Sequence, residues 1–247
     1  MHQLINKAGL GLMAGLTLAA SSLVPAQASE HDQVKVPVSY KWLDQPAGTE
    51  AFTGDLDLAC ATGLLCGSLV ESETLYDGLG HPIAEVESRN GEHDRAMNRL
   101  EAVVTQHRLM NIVDPIPAAS APHSFVDMDD PVLAFGQEAL SAAVENGIVT
   151  GRTATDFAPR ESISRAAFVA MLHRTVDLIE PSADAPTFPD MDAADVAWAT
   201  DHVRWAAEAG ITVGNNGMFE PREDLTRLEA VLFLLRFDDY LDSLPPA

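Results

Sequence analysis

The stretch Thr226-Arg227-Leu228-Glu229-Ala230-Val231 decides the fold, because the chain contains three versions of it. The other two are Asn98-Arg99-Leu100-Glu101-Ala102-Val103 and Ser164-Arg165-Ala166-Ala167-Phe168-Val169. In each version a short polar residue precedes an arginine and an apolar run, which is the pattern of a helix start. A unit that recurs in this way buries its apolar face against its neighbours, so the sequence predicts a repeat protein.

The second and third copies of the repeat extend well beyond this stretch. Phe125 and Phe188 are 63 residues apart, and other markers recur in the same order at a spacing of 63 or 62 residues. These markers are Asp127 and Asp190, Gly147 and Gly210, Gly151 and Gly214, Phe157 and Phe219, and Pro159 and Pro221. The agreement predicts two full repeats, at 120–180 and 186–241, with a proline-rich stretch between them.

The first copy, at 41–115, is degenerate. Gly63-Leu64-Leu65-Cys66-Gly67 matches the glycine turn of the other copies, but the Phe-x-Pro turn is missing and an insertion lies within 68–97. Because this insertion is polar and interrupted by glycines, it is predicted to be a surface loop.

Each full repeat is predicted to contain a helix, a glycine turn, a loop and a second helix. In the third repeat, Val196, Val203 and Ala207 have the spacing of one buried helical stripe. Gly210 follows directly, where a left-handed helix end favours glycine. The second helix is apolar nearly all round, which is typical of an interior helix. The predicted fold class is therefore all-α, with the three second helices forming a central three-helix bundle.

The polar residue before each motif arginine has a structural explanation, because two copies match a capping box. The matching pairs are Thr226 with Glu229 and Asn98 with Glu101. In the remaining copy Ser164 can cap the helix, but Ala167 cannot complete the box.

The motif arginine itself lies in an unfavourable place, since the dipole at a helix start disfavours a cation by up to about 1 kcal/mol. A guanidinium beside the free N–H groups of a helix start can form an anion-binding pocket. The alternative is an arginine that pairs with a structural carboxylate such as Asp127 or Asp190. A second set of arginines near the helix ends needs no function, because cations are favourable there. This second set is Arg108, Arg174 and Arg236.

Residues 1–28 are predicted to be a secretory signal peptide. Lys7 precedes the apolar stretch 8–20, and Ala26-Gln27-Ala28 matches a small-residue cleavage site. The apolar stretch is too short for a stable membrane span, and no later run of about eighteen apolar residues occurs. The mature chain is therefore predicted to be secreted, to contain no membrane span and to begin with an N-terminal tail at 29–40.

The charge of the chain excludes one broad class of partners. The sequence has 37 acidic and 15 basic residues, for a formal net charge of −22. Such acidity argues against nucleic acid or an anionic lipid surface as a general partner.

The cysteines and acidic clusters give little indication of a metal. Cys60 and Cys66 can form a disulfide in an exported protein, or they can be two small apolar core residues. Two cysteines without an adjacent histidine pair do not make a zinc site. The acidic clusters at 127–130 and 190–195 lack the glycine and ligand spacing of a calcium loop. No metal and no cofactor are predicted.

These repeats resemble the S-layer homology domain. The resemblance covers 125–177 and 188–240 well, and 42–110 weakly. The family pattern is Phe-x-Asp, a helix with an aromatic residue near its middle (here Phe135 or Trp198), Gly-Ile-x-x-Gly, Phe-x-Pro and a Thr-Arg-Ala-Glu helix start. The resemblance implies three copies around a pseudo-threefold axis and non-covalent anchoring to the cell wall, hence a location at the cell surface.

The resemblance also implies a ligand and the residues that bind it. In such families the ligand is an anionic secondary cell-wall polysaccharide carrying pyruvate ketals, or peptidoglycan. The family's binding positions correspond to the motif arginines Arg99, Arg165 and Arg227, to Asp127 and Asp190, and to the loop glycines Gly151 and Gly214. Binding grooves in this family lie between copies. The degenerate first copy and the missing glutamate at Ala167 therefore predict one or two working grooves rather than three.

Aromatic and histidine side chains are expected to be structural. Trp198 and Trp205 can stack on sugars, but the helical spacing of Trp198 favours a core position. His107 and His173 align with Leu235 on the buried helix face, so they are expected to be hydrogen-bonded core or helix-end residues.

Two functional hypotheses stay open. The first is a carbohydrate-binding module held on the cell wall through the motif arginines. The second is an envelope protein whose repeats have lost glycan binding and dock another protein. An enzyme is not predicted, because no Ser-His-Asp or Cys-His set and no glycine-rich phosphate loop stands out.

Overall fold

The computed structural model describes residues 38–42, 53–62, 64, 68–76 and 82–245. The predicted signal peptide at 1–28 and Cys66 lie outside these residues. The signal peptide and the Cys60–Cys66 pairing therefore stay predictions.

The described chain is mostly helical, which confirms the predicted all-α class. Its α-helices are α1 (Thr53–Ala61), α2 (Arg99–Val113), α3 (Gln137–Glu145), α4 (Arg165–Thr175), α5 (Thr200–Glu208) and α6 (Arg227–Ser243). Short 3₁₀ segments at Val126–Met128, Pro131–Gly136, Pro189–Met191 and Ala197–Ala199 precede α3 and α5. The strands are β1 (Val38–Trp42), β2 (Ser68–Tyr76) and β3 (Pro82–Asn90).

The three strands form one small sheet, in the order β1-β3-β2. β2 and β3 are antiparallel, whereas β1 lies parallel to β3. Both β2 and β3 lie inside the 68–97 insertion, so the prediction that this insertion is a surface loop was wrong. Its many glutamates and serines suggested a loop, but β-propensity depends on what a strand packs beside, and here each strand has a partner. β1 also takes in the end of the predicted tail, at 38–40.

The helix ends have the local structure predicted from the sequence. Asn98 and Thr226 complete capping boxes with the glutamates three residues on, whereas Ser164 caps α4 through its side chain alone. Gly147 and Gly210 have φ angles of 71° and 73°, in the left-handed region expected after α3 and α5.

The helices that follow the motif arginines, α2, α4 and α6, contact one another in the core. The Gln106 side chain of α2 donates to the Met171 carbonyl of α4 at 3.3 Å. The rings of Phe168 in α4 and Phe233 in α6 stack at 6.4 Å, and α2 also packs against α6. These contacts support the predicted central bundle, while pseudo-threefold symmetry of the whole repeats stays a prediction.

A closed ring of backbone hydrogen bonds joins the three helix starts. Met97 donates to the Leu225 carbonyl at 2.8 Å, Leu225 donates to the Ile163 carbonyl at 2.9 Å, and Ile163 donates back to the Met97 carbonyl at 3.0 Å. Each of these residues immediately precedes an N-cap residue. The degenerate first copy therefore takes the same place in the ring as the two clear copies.

The first copy contains the same turn as the other two, although its sequence lacks Phe-x-Pro. Ala158 and Glu220, in the Phe-x-Pro turns, have φ angles of 62° and 61°, and Glu92 has a φ angle of 51° at the corresponding place. Gly91-Glu92-His93 thus replaces Phe-x-Pro, and the insertion ends with β3 rather than at the helix start.

One buried carboxylate makes the stability of this core dependent on pH. Asp238 of α6 is 3% exposed, and no described group bonds to its Oδ1 atom. Burial, together with the nearby Asp242 and Asp239, raises the pKa of Asp238 to about 6. The native state holds this proton more tightly than the unfolded chain does. Protonated Asp238 therefore contributes to the stability of the fold at pH 4, and this contribution is lost as the pH rises through about 6.

We expect Asp238→Asn to raise the free energy of unfolding at pH 7.5 by about 1–3 kcal/mol, and to change it little at pH 4. Urea unfolding at both pH values measures this difference. Asp239→Asn is the matched control, since Asp239 is exposed one residue further along the same helix. An equal effect of the two substitutions would contradict the explanation by burial.

Candidate functional site

Two aspartates predicted as ligand contacts hold the Phe-x-Pro turns in place. The Asp127 carboxylate accepts hydrogen bonds from the backbone N–H groups of Phe157, at 2.9 Å, and Ala158, at 2.6 Å. Asp190 accepts in the same way from Phe219, at 3.0 Å, and Glu220, at 2.6 Å. Each carboxylate therefore fixes a turn whose second residue has a positive φ angle. A direct contact of either aspartate with a ligand stays a prediction.

Two glycines predicted as ligand contacts allow a close approach between loop and core. A Cβ atom at Gly151 would lie 2.5 Å from the Phe125 ring and 2.4 Å from the Thr153 carbonyl oxygen. At Gly214, whose φ angle is 70°, a Cβ atom would lie 2.6 Å from the Phe188 ring. A side chain at either position would push the loop away from the phenylalanine of the Phe-x-Asp motif.

The three motif arginines are anchored in the same way. The Nε atom of each motif arginine, Arg99, Arg165 and Arg227, donates to a backbone carbonyl of another copy. This carbonyl lies in the turn that precedes the motif helix of that other copy. The acceptors are Phe157 at 3.0 Å, Phe219 at 2.9 Å and Gly91 at 2.8 Å, respectively. The three arginines differ in the groups that contact the Nη atoms of their guanidinium groups.

Arg165 is closed off from solvent. Its side chain pairs with the Glu229 carboxylate, and its guanidinium carbon lies 5.3 Å from the ring centres of both Phe219 and Phe233. The residue is only 5% exposed. Arg165 is thus a buried cation paired with the glutamate of the next capping box, and its contact with a ligand stays a prediction.

Arg227 is closed off in a similar way. It is 8% exposed, and its Nη1 atom lies 3.5 Å from an Oε1 oxygen of Glu101. Glu101 also bonds to Arg95, at 2.6 Å. Here too the partner is the glutamate of a capping box, rather than Asp127 or Asp190.

Arg99 is different, because no carboxylate of the described residues lies within ion-pair distance of it. Its Nη2 atom donates to the Thr150 carbonyl at 3.0 Å, and its guanidinium lies 4.7 Å from the ring centre of Phe157. Burial, followed by the nearby Arg152, lowers the pKa of Arg99. The arginine of the degenerate copy is thus the one whose charge is not matched by an internal acid.

A cleft of about 390 Å³ opens beside Arg99. Its lining comes from three copies of the repeat, namely from α2, from the loop at 149–152 and α4, and from the third repeat. The charged residues and the tryptophan of its lining are Arg99, Arg152, Arg174, Trp198, Arg222 and Asp224. Gly151 and Ala167 also line it, so one predicted loop glycine and the residue that replaces a glutamate both lie at this cleft.

The cleft concentrates positive charge in an acidic protein. Arg152 and Arg222 have exposed carboxylate partners, Glu161 at 3.0 Å and Asp195 at 2.6 Å. Arg174 donates to the Ile148 carbonyl at 3.2 Å and has no carboxylate partner among the residues that the structure describes. Arg99 and Arg174 are therefore the cations available to an anionic ligand.

Trp198 gives the cleft an aromatic wall. Its side chain is 53% exposed, which corrects the expectation that Trp198 belongs to the core. Trp205 is the buried tryptophan, and it stacks on His173 with ring centres 4.5 Å apart. The position of Trp198 in the 3₁₀ segment Ala197–Ala199, before α5 begins, explains why a helical spacing misplaced it.

A pair of histidines, His202 and His173, packs beside Trp198. His202 contacts the edge of Trp198 at 6.4 Å between ring centres, and its Nδ1 atom lies 2.9 Å from Nδ1 of His173. Burial, followed by the neighbouring His173 and Arg174, lowers the pKa of His202 to about 4. His173 is a hydrogen-bonded core residue, as expected, and its Nε2 atom bonds to the Ile179 carbonyl at 2.8 Å.

Sequence reasoning identified Arg99 and Gly151 but missed three other residues of the cleft. Arg174 had been explained by its place near a helix end, although it reaches the groove. Arg152 and Arg222 lie in loops, where no periodicity marks them. Phe135 and Trp198 occupy the same position in the two clear repeats. This shared aromatic position indicated the wall of the cleft, but the helical spacing of Trp198 favoured a core position instead.

The comparisons with known proteins agree with the repeats. The S-layer homology domain matches residues 130–169 and 187–231, which confirms the two clear repeats predicted from the sequence. The degenerate first copy lies outside these matches. Its likeness to the two clear repeats rests on the ring of hydrogen bonds and on the positive φ angle of Glu92.

Relatives of two kinds, hydrolases and S-layer proteins, match part of this chain. The chain is 38% identical over 100 residues to an endoglucanase of Bacillus sp. (strain KSM-635), covering 40% of this chain and 10% of the relative. It is 27% identical over 143 residues to an S-layer protein of Bacillus licheniformis, covering 58% and 16%, respectively. It is also 29% identical over 104 residues to endo-1,4-beta-xylanase A of Thermoanaerobacterium saccharolyticum, covering 42% and 9%.

The chain thus spans about a tenth to a sixth of the length of these relatives. Hydrolases and S-layer proteins have the segment in common, so it indicates no enzymatic activity. The S-layer homology domains and the S-layer relatives indicate association with the cell surface.

None of the helices in the described part of the chain is long and apolar enough to cross a membrane. No cluster of three or more histidine, cysteine or acidic side chains there could hold a metal ion.

Proposed function

Because residues 130–169 and 187–231 are S-layer homology domains, we propose that this chain is a non-catalytic anchoring module at the cell surface. It binds an anionic cell-wall polysaccharide, either a secondary cell-wall polysaccharide or peptidoglycan, in the cleft beside Arg99. The observation that carries this proposal is the contrast among three equivalent arginines. Two lie beside internal glutamates, and the third lies at a cleft with no carboxylate within ion-pair distance among the described residues.

The chemistry of the cleft suits an acidic sugar. A carboxylate of the ligand bonds to Arg99 and Arg174, which otherwise donate only to backbone carbonyls. Charged hydrogen bonds of this kind are about twice as strong as neutral ones. A sugar ring packs on the exposed face of Trp198, since an indole offers a large flat apolar surface.

The other predicted site residues have supporting roles in this proposal. Asp127 fixes the turn whose Phe157 carbonyl holds Arg99, and Gly151 lets the loop of the cleft lie against Phe125. Asp190 and Gly214 have the same roles in the third repeat. Arg165 and Arg227 correspond to Arg99, but each lies beside an internal glutamate. The proposal assigns one working groove to the described part of the chain.

We expect Arg99→Ala to weaken co-sedimentation of the purified protein with isolated cell walls of the source organism about 10- to 100-fold. The reason is the loss of charged hydrogen bonds worth about 1.5–3 kcal/mol. Arg108→Ala is the matched control, because Arg108 is an exposed arginine on the same helix and its removal changes the net charge equally. Sedimentation of Arg99→Ala at the level of the wild-type protein would contradict the proposal.

The pretreatment of the walls distinguishes the proposal from its alternative. The alternative, docking to another envelope protein, is supported by the two motif arginines that pair with internal glutamates, Arg165 and Arg227. Walls treated with protease should retain the protein if it binds glycan, whereas walls stripped of secondary polysaccharide by acid should lose it. The opposite pattern would identify a protein partner.

A further inference from the structure

Asparagine followed by glycine is the sequence most open to spontaneous deamidation, and the chain contains this pair three times. In the reaction the backbone nitrogen of the glycine attacks the side-chain amide carbon of the asparagine, and a residue without a Cβ atom hinders the attack least. The sequence alone ranks the three pairs equally, whereas the structure separates them. The pairs are Asn90-Gly91, Asn146-Gly147 and Asn216-Gly217.

The first pair is held by packing and by hydrogen bonds on both sides. The Asn90 side-chain oxygen accepts from the Glu92 N–H group at 3.1 Å, and the Gly91 carbonyl accepts from Arg227 at 2.8 Å. Gly91 is buried, and a Cβ atom there would lie 2.2 Å from the His93 ring. Ring closure needs the peptide group between Asn90 and Gly91 to turn, and these contacts oppose that rotation.

The second pair is exposed, but both of its reacting groups are already hydrogen-bonded. The Asn146 side-chain amide donates to the carbonyls of Pro117 and Ala142, each at 2.9 Å. The Gly147 N–H group donates to the Val144 carbonyl at 3.1 Å. Attack of the glycine nitrogen on the amide carbon therefore requires several hydrogen bonds to break first.

The third pair forms the tip of a two-residue hairpin. Asn215 and Met218 close this hairpin through reciprocal backbone hydrogen bonds of 2.7 and 2.9 Å. Asn216 and Gly217 have φ angles of 49° and 81°, both positive as in a type I′ turn. Both residues are exposed, and among the described residues no group hydrogen-bonds to the Asn216 side chain or to the Gly217 N–H group. A Cβ atom at Gly217 would meet nothing within 4 Å.

We propose that Asn216 is a modification site, at which slow deamidation converts the asparagine to aspartate and isoaspartate. The Gly217 nitrogen forms a bond to the side-chain amide carbon of Asn216, and its proton leaves with the amide group as ammonia. Water then opens the resulting succinimide. Opening at the side-chain carbonyl gives aspartate, and opening at the backbone carbonyl gives isoaspartate. The net reaction takes up one water and releases one ammonia.

Isoaspartate is incompatible with this hairpin. It carries the backbone through the former side chain, which adds one carbon atom to the chain at the turn. The hydrogen bonds between Asn215 and Met218 fit a turn of two ordinary residues, so both cannot persist. The described residues that line the cleft beside Arg99 include none of 215–218. The modification is therefore independent of the proposed function.

The rate at each pair is measured by incubating the purified protein at pH 8 and 37 °C, followed by trypsin digestion and mass spectrometry. The three pairs lie on different tryptic peptides, 90–95, 109–152 and 205–222, and the change from amide to carboxyl shifts the peptide mass. We expect Asn216 to react at least about 10-fold faster than Asn146, since hydrogen bonds must break at Asn146. Asn90 should also react more slowly than Asn216. An unmodified Asn216, or an equal rate at either other pair, would overturn the proposal.

The same incubation in guanidinium chloride separates the effect of the fold from that of the sequence. In the unfolded chain the local sequence sets the rate, so the three pairs should react at similar rates. A preference for Asn216 that is as large in the unfolded chain as in the folded one would show that the fold does not protect the other pairs. That result would overturn the assignment from structure.

Two matched substitutions locate the reacting residue, because Asn215 lies on the same peptide as Asn216. Asn216→Gln should abolish the mass shift of peptide 205–222, since ring closure from the longer side chain is much slower. Asn146→Gln is the control and should leave that shift unchanged. An isoaspartyl methyltransferase should transfer methyl groups to the aged wild-type protein and not to aged Asn216→Gln. A mass shift that persists in Asn216→Gln would place the reaction at Asn215 and contradict the proposal.

Discussion

Arg165→Ala should lower the free energy of unfolding by about 2–4 kcal/mol. The substitution removes a buried cation that bonds to the Phe219 carbonyl and leaves the Glu229 carboxylate without its partner. Breaking one side of a buried ion pair costs about 3–5 kcal/mol, and the partial exposure of Glu229 reduces that figure here. Urea unfolding monitored by tryptophan fluorescence measures the change.

Arg160→Ala is the control for this prediction. Arg160 and Asp130 form an ion pair of 2.6 Å, but the two side chains are 61% and 41% exposed. An exposed pair contributes about 0–1 kcal/mol, whatever its length. If Arg160→Ala destabilises the protein as much as Arg165→Ala, burial is not what makes the Arg165 pair strong.

Asp190→Ala should lower the free energy of unfolding by about 2–4 kcal/mol as well. The Asp190 carboxylate accepts from two backbone N–H groups, those of Phe219 and Glu220, and each buried donor left unsatisfied costs about 1–3 kcal/mol. Glu220 also has a positive φ angle, which the carboxylate helps to hold. The change in the urea midpoint at pH 7 measures this effect.

Two further substitutions sharpen the test of Asp190. Asp192→Ala removes an exposed carboxylate from the same acidic cluster and should change stability by no more than about 0.5 kcal/mol. The double substitution Asp190→Ala with Arg165→Ala should cost less than the sum of the single ones, because the turn held by Asp190 presents the carbonyl that binds Arg165. Strict additivity would show that the two residues act independently.

Most of the fold was predictable, because its signals are local. Capping boxes, left-handed glycines and apolar helix faces each depend on residues within about four positions of one another. The repeat itself was visible in the spacing of its markers. The small sheet was missed, since a strand with polar residues resembles a loop until its partner is known, and β1 and β3 are separated by more than forty residues.

The candidate site was only partly predictable. The sequence identified three arginines in equivalent places, but it gave no means of ranking them. The degenerate copy was expected to reduce the number of working grooves to one or two, and in the structure it supplies the motif arginine with no carboxylate within ion-pair distance among the described residues. The ion pairs of the other two motif arginines join Arg165 to Glu229 and Arg227 to Glu101, and they connect different copies of the repeat.

The sequence by itself determined where three helices begin and that each of them carries an arginine in its first turn. The tertiary structure alone decided which of these guanidinium groups has no carboxylate within ion-pair distance among the described residues. The physical reason is that charge compensation acts through space. The glutamate caps its own helix through residues that are close to it in sequence. The arginine that it neutralises belongs to another repeat and lies near it only because the repeats pack together.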